Sequence, residues 1–334
     1  MNMVHMLSLL VVAMTIQSCG LAFDAIRFVW PIATDEVDAI CHRQQLHVGM
    51  AIEPFRPFVF PATWTDEGPK LTGLDIELTR EITATLTRYC GDRPITPIIH
   101  LVRFPDLFIE LHEGKLDFFV SAVSANLPSP ARAGLAYSIA HFSDAGLGAL
   151  ARNPKAGIRF RSQLDGDDQR GREVVNSSQD TMLTVAVQQE TSAHMYAESK
   201  LTRMRLLLCD SFPAAFEVRD PAPDVILGSR PILEFLARTV RTDWQPIATV
   251  SGQPLFLTRE EYAVVLAEES YRLRTIINDL LFRLWESGRA AEMRRRWFVE
   301  DYTYSRRATT EGLPFTADQV VQHYDQGRCR PAEP

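Results

Sequence analysis

Residues 104–138 read FPDLFIELHEGKLDFFVSAVSANLPSPARAGLAYS. Asp106–Glu113 carries Leu107, Phe108 and Leu111 at helical spacing, so one apolar face can form. Gly114 ends that helix, and Lys115 sits on the turn. Phe118–Val123 is a nearly continuous apolar run, as expected of a parallel strand covered on both faces. Ligands of open α/β sheets sit beyond the carboxyl ends of such strands. Ser121, Ser124 and Arg132 are therefore expected where a small molecule would be held.

The same layout returns downstream. Asp210–Val218 reads as a second short helix, followed by Asp224, a strand at Val225–Gly228 and the polar pair Ser229 and Arg230. Two α/β units with polar strand ends suggest two lobes facing a cleft. Any α/β protein yields pieces of this kind, so the repeat alone does not fix the arrangement.

With 334 residues the chain is long enough for two domains with sizeable cores. Its 46% hydrophobic and 23% charged content is that of an ordinary globular protein. A net charge of −7 argues against nucleic acid, which needs a basic footprint. The run Arg294-Arg295-Arg296 is expected to form the solvated face of a C-terminal helix.

Met6–Ile16 is apolar but too short to span a bilayer, and it suits the core of a secretory signal. Ile16-Gln-Ser-Cys19-Gly20 is similar to a lipoprotein signal, in which Cys19 becomes the lipidated N-terminus. Ordinary cleavage near Gly20–Phe23 is the alternative. The expected address is outside the cytoplasm, periplasmic or lipid-anchored at the cell envelope, with the anchor as the only membrane contact. Export permits disulfides. Cys41 precedes the strand Leu46–Met50 and Cys90 ends the helix that runs back beside it, so a Cys41–Cys90 bridge is expected. Cys209 with Cys329 is a possible second pair, and free buried thiols are the alternative. No C-x-x-C spacing occurs, so neither a zinc nor a redox motif is expected.

Along the chain, the loop Ala51–Gly73 is rich in Pro and aromatics, and Phe58 and Phe60 are assigned to core. Leu74–Tyr89 is an amphipathic helix, with Leu74, Leu78, Ile82, Leu86 and Tyr89 at helical spacing. Ile98–Val102 is a strand and Ala145–Arg152 an extended crossover. Asn153–Thr181 is polar and reads as a surface loop. Leu183–Val187, Met204–Leu208 and Tyr262–Leu266 read as strands, and Ser192–Lys200 and Pro231–Arg238 as helices. Tyr271–Trp285 carries the stripe Leu273, Ile276, Ile277, Leu280, Leu281 and Leu284, expected to pack on the first lobe. From Val299 the tail is polar, with no evident core role.

In this order the pieces resemble the periplasmic amino-acid-type (family 3) extracellular solute-binding proteins of ABC importers. The segments are Leu46-His-Val-Gly-Met with Pro-Phe55-Arg-Pro-Phe58, then Leu71-Thr-Gly-Leu-Asp75-Ile-Glu-Leu, then Gly114-Lys-Leu-Asp117, Ser121-Ala-Val-Ser124 and Ser129-Pro-Ala-Arg132. Leu183-Thr-Val-Ala-Val-Gln188 with Thr191-Ser192, and the ending Gly288, Met293 and Trp297-Phe298, complete the set. The resemblance implies an α/β, two-lobe type II fold, each lobe a mostly parallel sheet flanked by helices, with two hinge crossovers. It implies a signal segment at 1–19, a first lobe from 45–147 and 263–298, a second lobe at 148–262, and a C-terminal extension at 299–334. It also implies a monomer that closes on a small ligand, meets an ABC permease in the inner membrane, and uses no metal, no cofactor and no chemistry.

The resemblance gives Arg132 the ligand's carboxylate, because a guanidinium can grip both oxygens at once. The spacing from Ser124 to Arg132 is longer here than in the family. Ser124 and the backbone near Ala122 would complete the cradle, and Thr191 and Ser192 would add donors from a helix start; N-capping is their other role. Phe55 and Phe104 would flank the ligand's side chain. Ser229 stands where the family places an aspartate for the ligand's ammonium. Glu53 or Glu190 could substitute; otherwise the ligand is an organic acid, with Arg230 as a further partner. Two other functions stay open: a dehydratase-like enzyme on the same scaffold, for which Glu190 and His194 are the suggestive pair, and a non-transport sensor or accessory protein.

Overall fold

The structure is a computed structural model that describes residues 35–51, 56–61, 70–125, 132–164, 182–239, 241–300, 312–314 and 328–332. Two sheets organise it. The first has the order Thr96–Val102, Gln45–Ala51, Phe118–Phe119, Val265–Ala267, Leu135–Tyr137. Its first three strands are parallel, and Val265–Ala267 runs against its neighbours. The second has the order Gln245–Pro246, Leu147–Ala151, Val225–Ser229, Thr184–Gln188, Arg205–Cys209, Cys329–Pro331. Three of its four inner strands, Val225–Ser229, Thr184–Gln188 and Arg205–Cys209, are parallel, and the fourth, Leu147–Ala151, runs against them.

Between the sheets lies a two-stranded antiparallel ribbon, Phe142–Ala145 against Glu260–Tyr262. The chain leaves the first sheet through Phe142–Ala145 and returns through Glu260–Tyr262, so the ribbon holds both crossovers. This is the α/β two-lobe architecture with a double hinge. The crossovers touch closely at Gly146, where an added Cβ would lie 2.0 Å from the carbonyl oxygen of Thr258. The rings of Phe58, Phe142, Tyr262 and Phe298 pack around the ribbon with centroids 5.0–5.8 Å apart.

Helix Leu74–Tyr89 forms as its periodicity predicts, and Leu74, Leu78, Ile82 and Leu86 are buried. Tyr271–Glu286 buries the whole stripe from Leu273 to Leu284. Its first turn has no side-chain cap of its own; instead Glu36 Oε1 accepts from the backbone of Arg272 at 3.0 Å and Leu273 at 2.9 Å. That carboxylate sits at the positive end of the helix, where an anion is favoured. Phe58 is fully buried, and Phe60 packs against the core.

Several expectations need correction. Asn153–Thr181 is not all loop, because Pro154–Leu164 is a helix that buries Ala156 and Phe160. Asn153 Oδ1 accepts from the Ala156 amide at 2.9 Å, as a cap does; the rest of that insertion, 165–181, lies outside the described residues. The arginine run is not one solvated face, since successive helical residues point about 100° apart. Arg296 turns inward to Glu77, Arg294 lies half-buried over the Phe142 ring, and Arg295 stays exposed. Glu77 also accepts from Trp297 Nε1 at 2.8 Å, which ties the helix Arg289–Phe298 to Leu74–Tyr89.

The tail has structural work. Leu313–Pro314 pairs with Lys70–Thr72 in a small three-stranded sheet that also holds Phe60–Pro61, and Cys329–Pro331 adds an edge strand to the second large sheet. Cys41–Cys90 and Cys209–Cys329 are both disulfides, closing sequence separations of 49 and 120 residues. Among the described residues no helix is long and apolar enough to cross a membrane. Cys19 and the segment 1–19 lie outside the described residues.

A long closed loop restricts the unfolded chain strongly. Replacing both Cys209 and Cys329 by serine is therefore expected to cost about 2–4 kcal/mol in guanidinium unfolding. An unchanged midpoint would show that this cross-link contributes nothing to stability.

Candidate ligand-binding cleft

The end of strand Phe118–Phe119 is built by three local bonds. Val120 donates its amide to Gly49 at 3.2 Å. Ser121 then accepts the Ala51 amide on its hydroxyl oxygen at 2.7 Å, replacing a ladder bond with a side chain. Next, Ala122 adopts a left-handed conformation with φ of 50°. For a residue with a Cβ that conformation costs about 1–2 kcal/mol. Asp75 holds it there, accepting the Ala122 amide on Oδ2 at 3.0 Å. Asp75 is fully buried in the first turn of helix Leu74–Tyr89, and its other oxygen lies 3.1 Å from His141 Nε2. The strand that sequence periodicity extends to Val123 thus pairs only at Phe118–Phe119, and the backbone turns out of the sheet.

Where it turns, a cavity of about 30 Å³ opens between the lobes. Phe104, Ser121, Ala122, Ser124 and Arg132 line it from the first lobe. Thr191, Ser192, Ala193, Phe212, Ser229 and Ile232 line it from the second, and Tyr262 from the returning crossover. Eight of the residues singled out in the sequence therefore meet at one place: Phe104, Ser121, Ala122, Ser124, Arg132, Thr191, Ser192 and Ser229.

Arg132 is 7% exposed. Its Nη1 donates to the Ser124 carbonyl, and its guanidinium lies 5.2 Å from the centre of the Phe108 ring. Burial pushes its pKa down, while Tyr137 and the Glu260 carboxylate pull the other way. Among the described residues no carboxylate lies within 4.0 Å of it, so its charge is buried without an ion partner.

The loop that carries Arg132 is pinned by His112. Its Nδ1 lies 2.6 Å from the Phe108 carbonyl and its Nε2 lies 2.8 Å from the Ala133 carbonyl. Carbonyls only accept, so both contacts are hydrogen bonds only when both ring nitrogens carry protons, and together they favour the cationic ring. These two bonds, with Glu269 nearby, raise its pKa above 6.5.

On the second lobe, Thr191 caps helix Ser192–Lys200, accepting the His194 amide and donating to the Gln188 carbonyl at 2.7 Å. Its hydroxyl is thus engaged in capping. Ser229 shares a hydrogen bond with the Tyr262 hydroxyl. Tyr262 is buried, and burial pushes its phenol pKa up.

Glu260 was not singled out by sequence reading, because it sits in the charged run Arg259-Glu260-Glu261. It is buried, whereas Glu261 is exposed and Tyr262 is buried. That alternation is the strand period of two, the one signal that could have found it. Glu260 Oε2 accepts from Ser124 Oγ of the first lobe and from Ser192 Oγ of the second at 2.9 Å. Its Oε1 accepts from Thr258 Oγ1 at 2.8 Å.

Other sequence candidates lie elsewhere. Glu190 is exposed, and its amide donates to His194 Nδ1 at 3.3 Å, so this pair does not face the cavity. Arg230 donates to the Asp144 carbonyl at 2.8 Å and stacks over Phe256. Glu53 and Phe55 lie outside the described residues. Among the described residues no group of three or more His, Cys, Asp or Glu could hold a metal ion.

The folded protein binds the His112 proton more tightly than the unfolded chain does. The stability from these bonds is present in full below about pH 6.5 and fades as pH rises through the higher folded value. NMR titration of the His112 ring should give a pKa above 6.5. A value at or below 6.5 would mean that the ring does not hold both carbonyls.

The chain matches the model of the bacterial extracellular solute-binding proteins, family 3, over residues 46–300. No curated protein matches it. Among solved structures it is similar to an ancestral amino acid-binding protein described as a precursor of cyclohexadienyl dehydratase. The two share 19% identity over 79% of this chain and 100% of that one, with a TM-score of 0.60. An amino acid ABC transporter substrate-binding protein from Streptococcus pneumoniae bound to L-arginine shares 18% identity over 83% and 98% of the chains, with a TM-score of 0.60. A binding component of an ABC transporter from Wolinella succinogenes, complexed with lysine, shares 18% identity over 79% and 99%, with a TM-score of 0.60. The match spans most of the chain, both lobes and both crossovers, and this protein belongs to the bacterial extracellular solute-binding proteins, family 3.

Proposed function

We propose that this protein is the exported substrate-binding component of an ABC importer. The solute bears a carboxylate, the two lobes close on it, and a membrane permease reads the closed form. The lobes in this reading are 45–147 with 263–298, and 148–262. One observation carries it: Arg132 is buried at the cavity wall, and no carboxylate of the described residues lies within 4.0 Å of its guanidinium. A buried cation without a partner is costly, and a ligand carboxylate would remove that cost. The cradle around it has the same purpose. Ala122 is held in a left-handed turn, which fixes the backbone beside the anion's place.

We read the cleft as one for binding rather than catalysis. Glu190 and His194, the pair with the best claim to acid–base chemistry, bond to each other outside the cavity. A group that transfers a proton must lie within reach of the reacting atom.

Replacing Arg132 with methionine tests the proposal. Each charged hydrogen bond contributes about 1.5–3 kcal/mol net. Losing the guanidinium should therefore weaken carboxylate binding roughly tenfold to a hundredfold or more in calorimetric titration. Unliganded stability should change by less than about 1 kcal/mol, because an unpaired buried charge adds little to it. Unchanged affinity, or a large loss of unliganded stability, would make Arg132 a structural residue.

A further inference from the structure

A second cavity, of about 230 Å³ against about 30 Å³ in the cleft, lies in the first lobe at the base of the hinge. Its walls are Leu78 of helix Leu74–Tyr89, Leu281 and Leu284 of Tyr271–Glu286, Met293 of Arg289–Phe298, and Phe142 of the outgoing crossover, all of them buried. Trp285 also lines it and is 49% exposed, so the cavity opens to solvent there. We propose that this cavity binds a small carboxylic acid with an apolar body, at a site separate from the cleft. The two share no lining residue, so this site stands whether or not the cleft holds a carboxylate.

Size sets the apolar part. A cavity of about 150 Å³ lined by leucine, isoleucine and phenylalanine takes up benzene. A volume of about 230 Å³ therefore admits a ring with a short chain. Three features of the lining set the charge. First, Ala290 and Ala291 are the second and third residues of helix Arg289–Phe298, and no side chain caps that helix start. Its amides favour negative charge, and the carboxylate in the same turn, Glu292, is bonded to Arg289 at 3.0 Å. Second, Arg294 lies one turn on from Ala290 and stacks 4.7 Å from the Phe142 ring centre. Its polar contacts are long: 3.4 Å to the Ser143 carbonyl and 3.5 Å to Asp144, whose side chain is 72% exposed. Contacts of that length to an exposed partner are weak, so the guanidinium can turn to a carboxylate.

Third, the His141 side chain lines the cavity and is 3% exposed. Its Nε2 faces Asp75 at 3.1 Å, while its Nδ1 is buried with no hydrogen-bond partner. Buried polar atoms are nearly always paired. With Nε2 donating to Asp75, a proton on Nδ1 makes that atom a donor to a ligand carboxylate. A neutral hydrocarbon would use none of these three groups, and a short acid without a ring would leave the leucine walls unfilled.

The full chain is titrated by calorimetry with 3-phenylpropionate, with its neutral counterpart 3-phenylpropan-1-ol, and with propionate. The phenyl acid should saturate one site and bind at least about tenfold tighter than the alcohol, the margin that a charged hydrogen bond supplies. Propionate should not saturate this site. Arg132→Met, which removes the guanidinium of the cleft, should leave the phenyl acid's affinity unchanged. Arg294→Met should bring the acid down to the affinity of the alcohol, and Ala290→Phe, which fills the cavity, should abolish both. In the wild type, NMR should show Overhauser contacts from the probe's ring to the Met293 methyl group, which locates the site even where Ala290→Phe fails to fold. No saturable binding of the phenyl acid would overturn the proposal. So would binding that is lost in Arg132→Met and kept in Ala290→Phe, since that places the acid in the cleft. Equal affinity for acid and alcohol would overturn the carboxylate's part in it.

Discussion

Asp75 is the constraint on which the cleft depends. It is fully buried at the start of a helix, and it ties three segments that are remote in sequence. Its own helix is one, the Ala122 turn is the second, and His141 beside the crossover is the third. A buried carboxylate is tolerated only when its oxygens are satisfied, and here a backbone amide and a ring nitrogen do so. The arrangement fixes the left-handed residue at the end of the Phe118–Phe119 strand. With that turn set, Ser124 reaches both the Arg132 guanidinium and the Glu260 carboxylate. Rigid support for a few polar groups is what a binding site needs, since a loosely held charge would relax toward its own partners.

Much of this was legible in the sequence where the physics is local. Leu74–Tyr89 and Tyr271–Glu286 follow from apolar spacing, and their buried faces are those the spacing names, except that Tyr89 at the end of the first is exposed. The ordered segments led to the family, and the family led to Arg132, Ser124 and Thr191. The misreadings share a cause. Phe118–Val123 looks like one strand, but its last residues are taken out of the ladder by the Ser121 hydroxyl and by Asp75, which is 47 residues from Ala122. Tyr262–Leu266 reads as one strand. It is instead the junction of Glu260–Tyr262 in the ribbon with Val265–Ala267 in the first sheet. Periodicity cannot show a strand changing sheets.

The tail was illegible for the same reason. Cys329–Pro331 is short and polar, and its partner strand Arg205–Cys209 is remote in the chain. Its place is fixed by pairing and a disulfide, not by hydrophobic pattern. One consequence bears on the hinge. The chain after helix Arg289–Phe298 pairs first with Lys70–Thr72 and then with the second sheet, so it joins the lobes a third time beside the two crossovers. Glu260 was hidden differently. Charged residues in a run are usually solvated, and only the ribbon places this one between two serines of opposite lobes.

A crystal structure of the protein with its bound solute tests the central claim most directly. The account predicts carboxylate oxygens within hydrogen-bond distance of the Arg132 guanidinium, in the cavity bounded by Ala122, Ser124 and Ser192. A solute seated elsewhere, with none of its atoms within hydrogen-bond distance of the Arg132 guanidinium, would contradict it.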